Sequence, residues 1–186
     1  MQTNIIIAGV GGQGVLSIAA LITRAASYES LVVRQSEVHG MAQRGGAVLA
    51  HLRIADGAIA SDLVPRGTAD LIISLEPLES LRYIDWLSQN GAVITAMEPL
   101  YNIPDYPECA LVFHAIQQLP RYRLIPAAVY AKEIGLPKAV NTVMLGAAAA
   151  FLPLKTESLE DAIKELFALK ATEANIQAFR RGKVSD

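Results

Sequence analysis

Glu37, His39, Gln43 and Arg44 fall within eight residues of one another. Between them they can move a proton, accept hydrogen bonds and clamp a carboxylate or phosphate. They sit in the stretch from Ser36 to Gly46, read Ser-Glu-Val-His-Gly-Met-Ala-Gln-Arg-Gly-Gly. Its polarity and glycine content predict a loop rather than a strand or a helix. It follows the apolar run Leu31-Val32-Val33, at the end of a strand, where α/β scaffolds carry their chemistry. A plain solvated connection is the other reading. Gly40 within the stretch and the Arg44-Gly45-Gly46 ending favour a backbone held in a specific shape. Arginine suits such a place because its planar fork binds a carboxylate or phosphate through two parallel hydrogen bonds.

A second constellation is glycine-based. Gly9-Val10-Gly11-Gly12-Gln13-Gly14 follows the apolar strand Asn4 to Ala8 and precedes a helix expected over residues 15–27, with Leu16, Ala19, Ala20 and Thr23 at helical spacing. Strand, glycine turn and helix make a Rossmann-like start. The open helix end offers unpaired N–H groups to an anion. The six residues satisfy Gly-x-Gly-x-x-Gly, and Glu37 lies 23 residues after Gly14, near the place of a ribose-binding acid. Nucleotide binding and a tight turn that binds nothing both fit. Two single residues complete the set. Glu76 is expected at the carboxyl end of a strand, lining a site or stabilising the helix begun by Pro77. Asn141, near the start of a very apolar helix, either caps it or points into a site.

These residues need a sheet to hold them. Leu31 to Gln35 reads as a second strand; if it lies parallel to the first and next to it, their carboxyl ends sit side by side. The glycine turn and the Ser36–Gly46 loop then share one edge. Residues 47–54 alternate, with Val48, Ala50, Leu52 and Ile54 on one face and Ala47, Leu49, His51 and Arg53 on the other. Asp56-Gly57 signals a hairpin, with Ala58 to Ser61 returning antiparallel. His51 reads as a partly covered strand residue. Asp70 to Leu75 is a buried strand, followed by a helix facing the sheet through Leu78, Leu81, Ile84 and Leu87. Asn90-Gly91 reads as a turn, Ala92 to Ala96 as a strand, and Glu98 to Glu108 as a loop. Ala110 to Phe113 and Tyr122 to Ile125 read as short strands, and Pro126 to Ile134 as a helix. Residues 138–152 form the helix apolar nearly all round, buried in a core or against another subunit. Thr156 or Ser158 caps the next helix, with Leu159, Ile163, Leu166 and Phe167 as its stripe. A short helix from Thr172 to Phe179 closes the chain. The expected fold is α/β: one domain over residues 1–186, a mostly parallel sheet with helices on both faces, a β-hairpin and C-terminal helices.

Composition narrows the function classes. Of 186 residues, 52% are apolar and 18% charged, which fits a well-covered sheet or a large partner interface. Net charge is −2 without a basic run, so no nucleic acid partner is expected. Cys109 is the one cysteine, which excludes a disulfide framework or a cysteine-ligated cluster from this chain alone. His39, His51 and His114 lack metal-ligand spacing, so no metal is expected. No apolar run reaches the ~20 residues of a membrane span. The first residues lack the charged region of a signal peptide. The expected location is cytoplasmic, with no membrane partner.

Three stretches together closely resemble the gamma domain of the 2-oxoacid:ferredoxin oxidoreductases. They are the glycine turn, Ser36–Gly46, and Ala-Asp-Leu-Ile-Ile-Ser-Leu-Glu-Pro-Leu-Glu at residues 69–79. Asn-Thr-Val-Met-Leu-Gly at 141–146 and Asn-Ile-Gln-Ala-Phe-Arg-Arg-Gly at 175–182 fit the same family, most nearly its indolepyruvate branch. The resemblance implies a subunit that is inactive alone and has no catalytic residue of its own. A larger partner subunit would carry thiamine diphosphate, Mg2+ and [4Fe–4S] clusters. Coenzyme A would take the acyl group and ferredoxin the electrons. In that picture Ser36, Glu37, His39, Gly40, Gln43, Arg44, Gly45, Gly46, Glu76 and Asn141 lie at the interface or line the shared active site. Gly9, Gly11, Gly12, Gln13 and Gly14 form a backbone turn for packing or for a phosphate. A stand-alone NAD(P)-binding protein built on the glycines and Glu37 is the rival.

Overall fold

A computed structural model describes residues 1–39 and 45–184. Strands β1 (Gln2–Val10), β2 (Val32–His39), β3 (Ala47–Ala55), β4 (Ala69–Ser74), β5 (Leu87–Ala96) and β6 (Tyr122–Ile125) form one sheet in the order β2-β3-β1-β4-β5-β6. β1, β4, β5 and β6 run parallel, and β3 is antiparallel to both β1 and β2. The mostly parallel α/β domain is therefore present, with a mixed edge.

The strand parity read from the sequence holds and divides two cores. Ile5, Ile7, Ala50, Leu52, Ile54, Leu71, Ile73 and Ile94 face one side. There they pack under α1 (Val15–Tyr28), α4 (Ala127–Glu133), α5 (Val140–Ala148), α6 (Thr156–Leu166) and α7 (Leu169–Lys183). Ile6, Leu49, Ile72 and Val93 face the other side, against Tyr83, Ile84, Trp86 and Leu119. The short helix α2 (Pro77–Arg82) contacts β1, β4 and β5, and α3 (Cys109–Gln117) packs on α2.

Several local expectations give way. Ser36, Glu37, Val38 and His39 are strand, not loop, because β3 offers a full antiparallel ladder up to the His39–Val48 pair. β2 is not beside β1, since β3 is inserted between them. The two strands still point the same way, so their carboxyl ends share an edge. The hairpin is β2–β3; residues 58–61 add no strand after Asp56-Gly57. Asn90 and Gly91 lie inside β5, at a bulge against β4, where a Cβ on Gly91 would stand 2.7 Å from the Ala69 carbonyl oxygen.

The helices shift in similar ways. Residues 110–113 belong to α3, which buries Val112 and Ile116. The helix after Pro77 is only six residues long, and buries Pro77, Glu79 and Ser80 instead of the Leu78 and Leu81 stripe. α1 buries Val15, Ile18, Ala19, Leu21, Ile22, Ala25 and Ala26, so its inner face is rotated from Leu16, Ala20 and Thr23. α6 begins after Lys155, without a side-chain cap from Thr156 or Ser158, and Leu166 on it is exposed. α7 is a 15-residue helix rather than a short one.

The very apolar helix is buried as expected. Asn141 through Ala148 are all covered, mainly by α7. A Cβ on Gly146 would meet the Phe179 carbonyl oxygen at 1.9 Å, and one on Gly182 the Val143 carbonyl oxygen at 2.0 Å. The two helices thus cross backbone to backbone at their glycines.

Candidate functional site

The carboxyl edge of the parallel strands gathers the glycine turn, Glu76, residues 97–108 and the starts of α4 and α5. The turn is shaped by two left-handed glycines, Gly12 at φ 103° and Gly14 at φ 89°, a region that side chains with a Cβ resist. Gln13 locks it from within. Its Oε1 accepts the Val10 N–H at 2.7 Å, and its Nε2 donates to the Leu75 carbonyl at 3.0 Å. Gln13 is thus a strut between β1 and the end of β4, not a free ligand. Gly14 caps α1 without a side-chain bond, and the first turn of α1 carries no acid.

The second motif meets this turn at its far end. The Gly46 carbonyl accepts the Gly11 N–H at 2.8 Å, and the Gly45 carbonyl accepts Asn102 Nδ2 at 2.9 Å. Ser36 and Glu37, expected together in a loop, occupy opposite faces of β2. Ser36 pairs with His51 and Glu37 with Ala50. The Glu37 carboxylate accepts Gln35 Nε2 at 2.5 Å. His39 is the last residue of β2. Gly40, Gln43 and Arg44 lie outside the described residues. With β3 interposed, Glu37 stands two strand spacings, about 10 Å, from β1, on the wrong strand for a ribose-binding acid. This separation disfavours the dinucleotide reading. His51 is buried; its Nδ1 accepts the Val64 N–H at 3.3 Å, and burial lowers its pKa.

Glu76 is fully buried and serves as an anchor. It caps α2 by accepting the Glu79 N–H at 2.8 Å. Its other oxygen accepts the Leu100 N–H at 3.3 Å and the Tyr106 hydroxyl. Burial and this carboxylate push the Tyr106 hydroxyl pKa well above its ordinary value. Glu76 therefore fastens the 97–108 segment, whose Asn102 in turn holds Gly45. Neighbouring Glu79 is also buried, and its pKa is raised by burial against the pull of Arg82 at 3.0 Å.

Between the turn and α5 lies a cavity of about 460 Å³, bordered by Gly12, Gly14, Glu98, Lys138 and Asn141. Asn141 is 8% exposed, and its Oδ1 accepts the Thr142 N–H at 3.0 Å. Its Nδ2 lies 3.1 Å from where a Cβ on Gly14 would stand. Glu98 Oε1 accepts the Ala128 N–H at 3.0 Å, while Oε2 is buried with no partner among the described residues. The structure thus brings Asn141 and the glycine turn together, and leaves Glu37 apart. Glu98, Asn102 and Tyr106 were missed in the sequence, where they read only as parts of a proline-rich loop. Their signal was position, directly after a buried parallel strand. Among the described residues, no three His, Cys, Asp or Glu side chains gather as metal ligands, and no helix is long and apolar enough to cross a membrane.

The fold and its edge define a single α/β domain, built on a six-stranded, mostly parallel sheet. The chain belongs to the pyruvate ferredoxin/flavodoxin oxidoreductase family, whose pattern matches residues 4–184. It is 36% identical to the indolepyruvate oxidoreductase subunit IorB of Archaeoglobus fulgidus, over 98% of this chain and 94% of that one. It is 30% identical to the 2-oxoglutarate synthase subunit KorC of Methanothermobacter thermautotrophicus, over 98% and 94%. Among solved structures, it resembles the gamma subunit of a keto/oxoacid ferredoxin oxidoreductase from Geobacter sulfurreducens, with a TM-score of 0.73 at 22% identity over 97% and 95% of the two chains. The 2-oxoglutarate:ferredoxin oxidoreductase of Magnetococcus marinus matches with a TM-score of 0.77 at 20% identity, over 98% of this chain but 30% of that longer one. The expected family is confirmed.

Proposed function

We propose that this chain is the small subunit of a 2-oxoacid:ferredoxin oxidoreductase acting on an arylpyruvate such as indolepyruvate. The observation that carries this is the 36% identity to an indolepyruvate oxidoreductase subunit across essentially both chains. The reaction cleaves the bond between the carboxylate and the oxo carbon. Carbon dioxide leaves, the acyl group passes to the coenzyme A sulfur, and two electrons pass to ferredoxin. A larger partner subunit supplies thiamine diphosphate, Mg2+ and the [4Fe–4S] clusters that this chemistry uses.

This chain's share is to pack against the thiamine-binding subunit and help enclose the substrate and coenzyme A region. Its contact residues are the Ser36–Gly46 stretch, with Arg44 as a charged anchor, together with Glu37 and His39. The exposed apolar side chains Leu100, Tyr101 and Ile103, on the segment that holds Gly45, suit the same contact. Glu76 acts behind that surface as the residue fastening the segment. The working location is the cytoplasm.

The test is anaerobic co-purification of the tagged chain from its native source, with iron and thiamine diphosphate assayed in the eluate. A large partner bringing both is the expected result. A colourless chain eluting alone, and giving heat on titration with NAD(P), overturns the reading. In the complex, Arg44→Ala is expected to weaken assembly or turnover while the isolated chain stays folded; normal assembly and rate would remove Arg44 from the contact.

A further inference from the structure

The second face of the sheet is covered unevenly. α2 contacts β1, β4 and β5, whereas the helix packed on β2 and β3 is α1, on the first face. Over β3 the second face is walled instead by residues 61–66. Two alternate side chains of β3 hold that wall. Arg53 Nη1 donates to the Ser61 and Leu63 carbonyls at 2.9 and 3.2 Å, and His51 Nδ1 accepts the Val64 N–H at 3.3 Å. Between the wall, Val38 on β2 and Trp86 lies a cavity of about 520 Å³.

Its lining is mostly apolar, and Val38 and Leu63 there stand 52% exposed. Arg66 is the one charged side chain among the described residues that border it. Its guanidinium stacks 4.8 Å from the Trp86 ring centre and has no ion pair among the described residues. Asp62, on the same wall, is paired with Arg34 at 3.6 Å. His51 borders the cavity and is 5% exposed. Because its Nδ1 accepts, the neutral ring carries its proton on Nε2. Burial lowers its pKa and so favours that neutral form. The Nε2–H has no hydrogen-bond partner among the described residues and is not sealed from solvent. A donor on a ring so deeply buried, opening on the cavity the ring borders, suits a ligand oxygen.

We propose that this cavity binds a small aryl carboxylate. The carboxylate lies between Arg66 and His51 Nε2, and the ring lies against Val38, Leu63 and Trp86. One full positive charge and one neutral donor match a planar monoanion. A phosphate ester, carrying about −1.5 to −2 at neutral pH, would be left short of partners. A flat ring gains the edge-to-face contact that Trp86 already makes with His51 at 6.3 Å and with Tyr83 at 5.8 Å. Apolar walls with a few convergent polar groups are the usual form of a small-molecule site. The site is built from this chain alone, so its failure would leave the proposed function standing.

Trp86 is the chain's one tryptophan, so its indole N–H signal and its fluorescence report on this cavity. The test is titration of the 15N-labelled full chain with phenylacetate, phenylacetamide, phenyl phosphate and acetate. Phenylacetate is expected to give saturable shifts at Trp86 and Val64, binding about tenfold tighter than phenylacetamide. Phenyl phosphate is expected to bind more weakly than phenylacetate, and acetate to give no saturable shift. Arg66→Gln should bring phenylacetate down to the affinity of phenylacetamide and leave phenylacetamide unchanged. His51→Asn keeps an acceptor for the Val64 N–H and removes the Nε2 donor; it is expected to weaken phenylacetate about tenfold. Leu63→Ala is expected to weaken both ring ligands alike. The proposal is overturned if phenylacetate gives no saturable shift, if acetate or phenyl phosphate binds as tightly, or if Arg66→Gln keeps the preference for the acid. Equal affinity for phenylacetate and phenylacetamide would make the cavity an apolar docking face for another chain, and overturns it too. Should His51→Asn fail to fold, the Arg66→Gln comparison decides the matter alone.

Discussion

The Gly11 N–H donates to the Gly46 carbonyl at 2.8 Å, which makes the turn after β1 and the end of the β2–β3 connection one folded unit. Gln13 braces that unit from the other side through Val10 and Leu75. Gln13→Ala removes both side-chain bonds and is expected to lower stability by about 1–3 kcal/mol. Gln13→Glu should be no better, because it sets a carboxylate oxygen against the Leu75 carbonyl. Urea unfolding of the two variants checks this; wild-type stability in either would mean the turn holds its shape without the brace.

The sheet and its edge were legible because buried strands announce themselves. Ile5-Ile6-Ile7 and Leu71-Ile72-Ile73 can only be covered on both faces, and a glycine turn between strand and helix fixes which end is open. What misled was polarity taken locally. Ser36 to His39 look like loop, yet β3 supplies their ladder, and at an outer strand polar side chains cost little. The inserted β3 also separates Glu37 from the glycines, and no sequence spacing reveals that. Glu98, Asn102 and Tyr106 stayed hidden because their partners, Ala128, Gly45 and Glu76, lie 30 to 57 residues away along the chain.

Glu76 joins three elements, so its loss should be felt in all of them. Glu76→Ala removes the cap of α2 and the anchor of Leu100 and Tyr106, for an expected cost of about 2–4 kcal/mol. Tyr106→Phe removes one bond and should cost about 1 kcal/mol. Hydrogen exchange should quicken at the Glu79 and Leu100 amides in the alanine variant. Unchanged exchange at Leu100 would show that the 97–108 segment is fastened elsewhere.

Glu79 carries a pH signature. Burial raises its folded pKa above the ordinary 4.5. Below 4.5 both states hold the proton and the contribution to stability is fully present. As pH climbs toward the raised folded value, the unfolded chain holds fewer protons than the folded one, so stability falls. The difference between wild type and Glu79→Gln should therefore decline on going from pH 4.5 toward neutrality. The lowered carboxylates Asp56, Glu160 and Glu165 act with the opposite sign at lower pH, and the paired comparison cancels them. A difference that stays flat across the range would mean Arg82 fully offsets the burial.

The crossing of α5 and α7 tests packing against propensity. In an exposed helix, Gly→Ala is stabilising by about 1 kcal/mol. Here a methyl at Gly146 or Gly182 would be driven to 1.9 or 2.0 Å from a backbone carbonyl oxygen of the other helix. No rotamer relieves that contact, so the helices must move apart and open the core around Val143, Ala147 and Phe179. Each single alanine variant is expected to lose about 3 kcal/mol or more, a drop of roughly ten degrees in Tm for a domain of this size. The double variant should lose less than the sum, since one separation accommodates both methyls. A Tm equal to or above the wild type in Gly182→Ala would show that the helices do not cross at this spacing, and thermal unfolding by circular dichroism decides it.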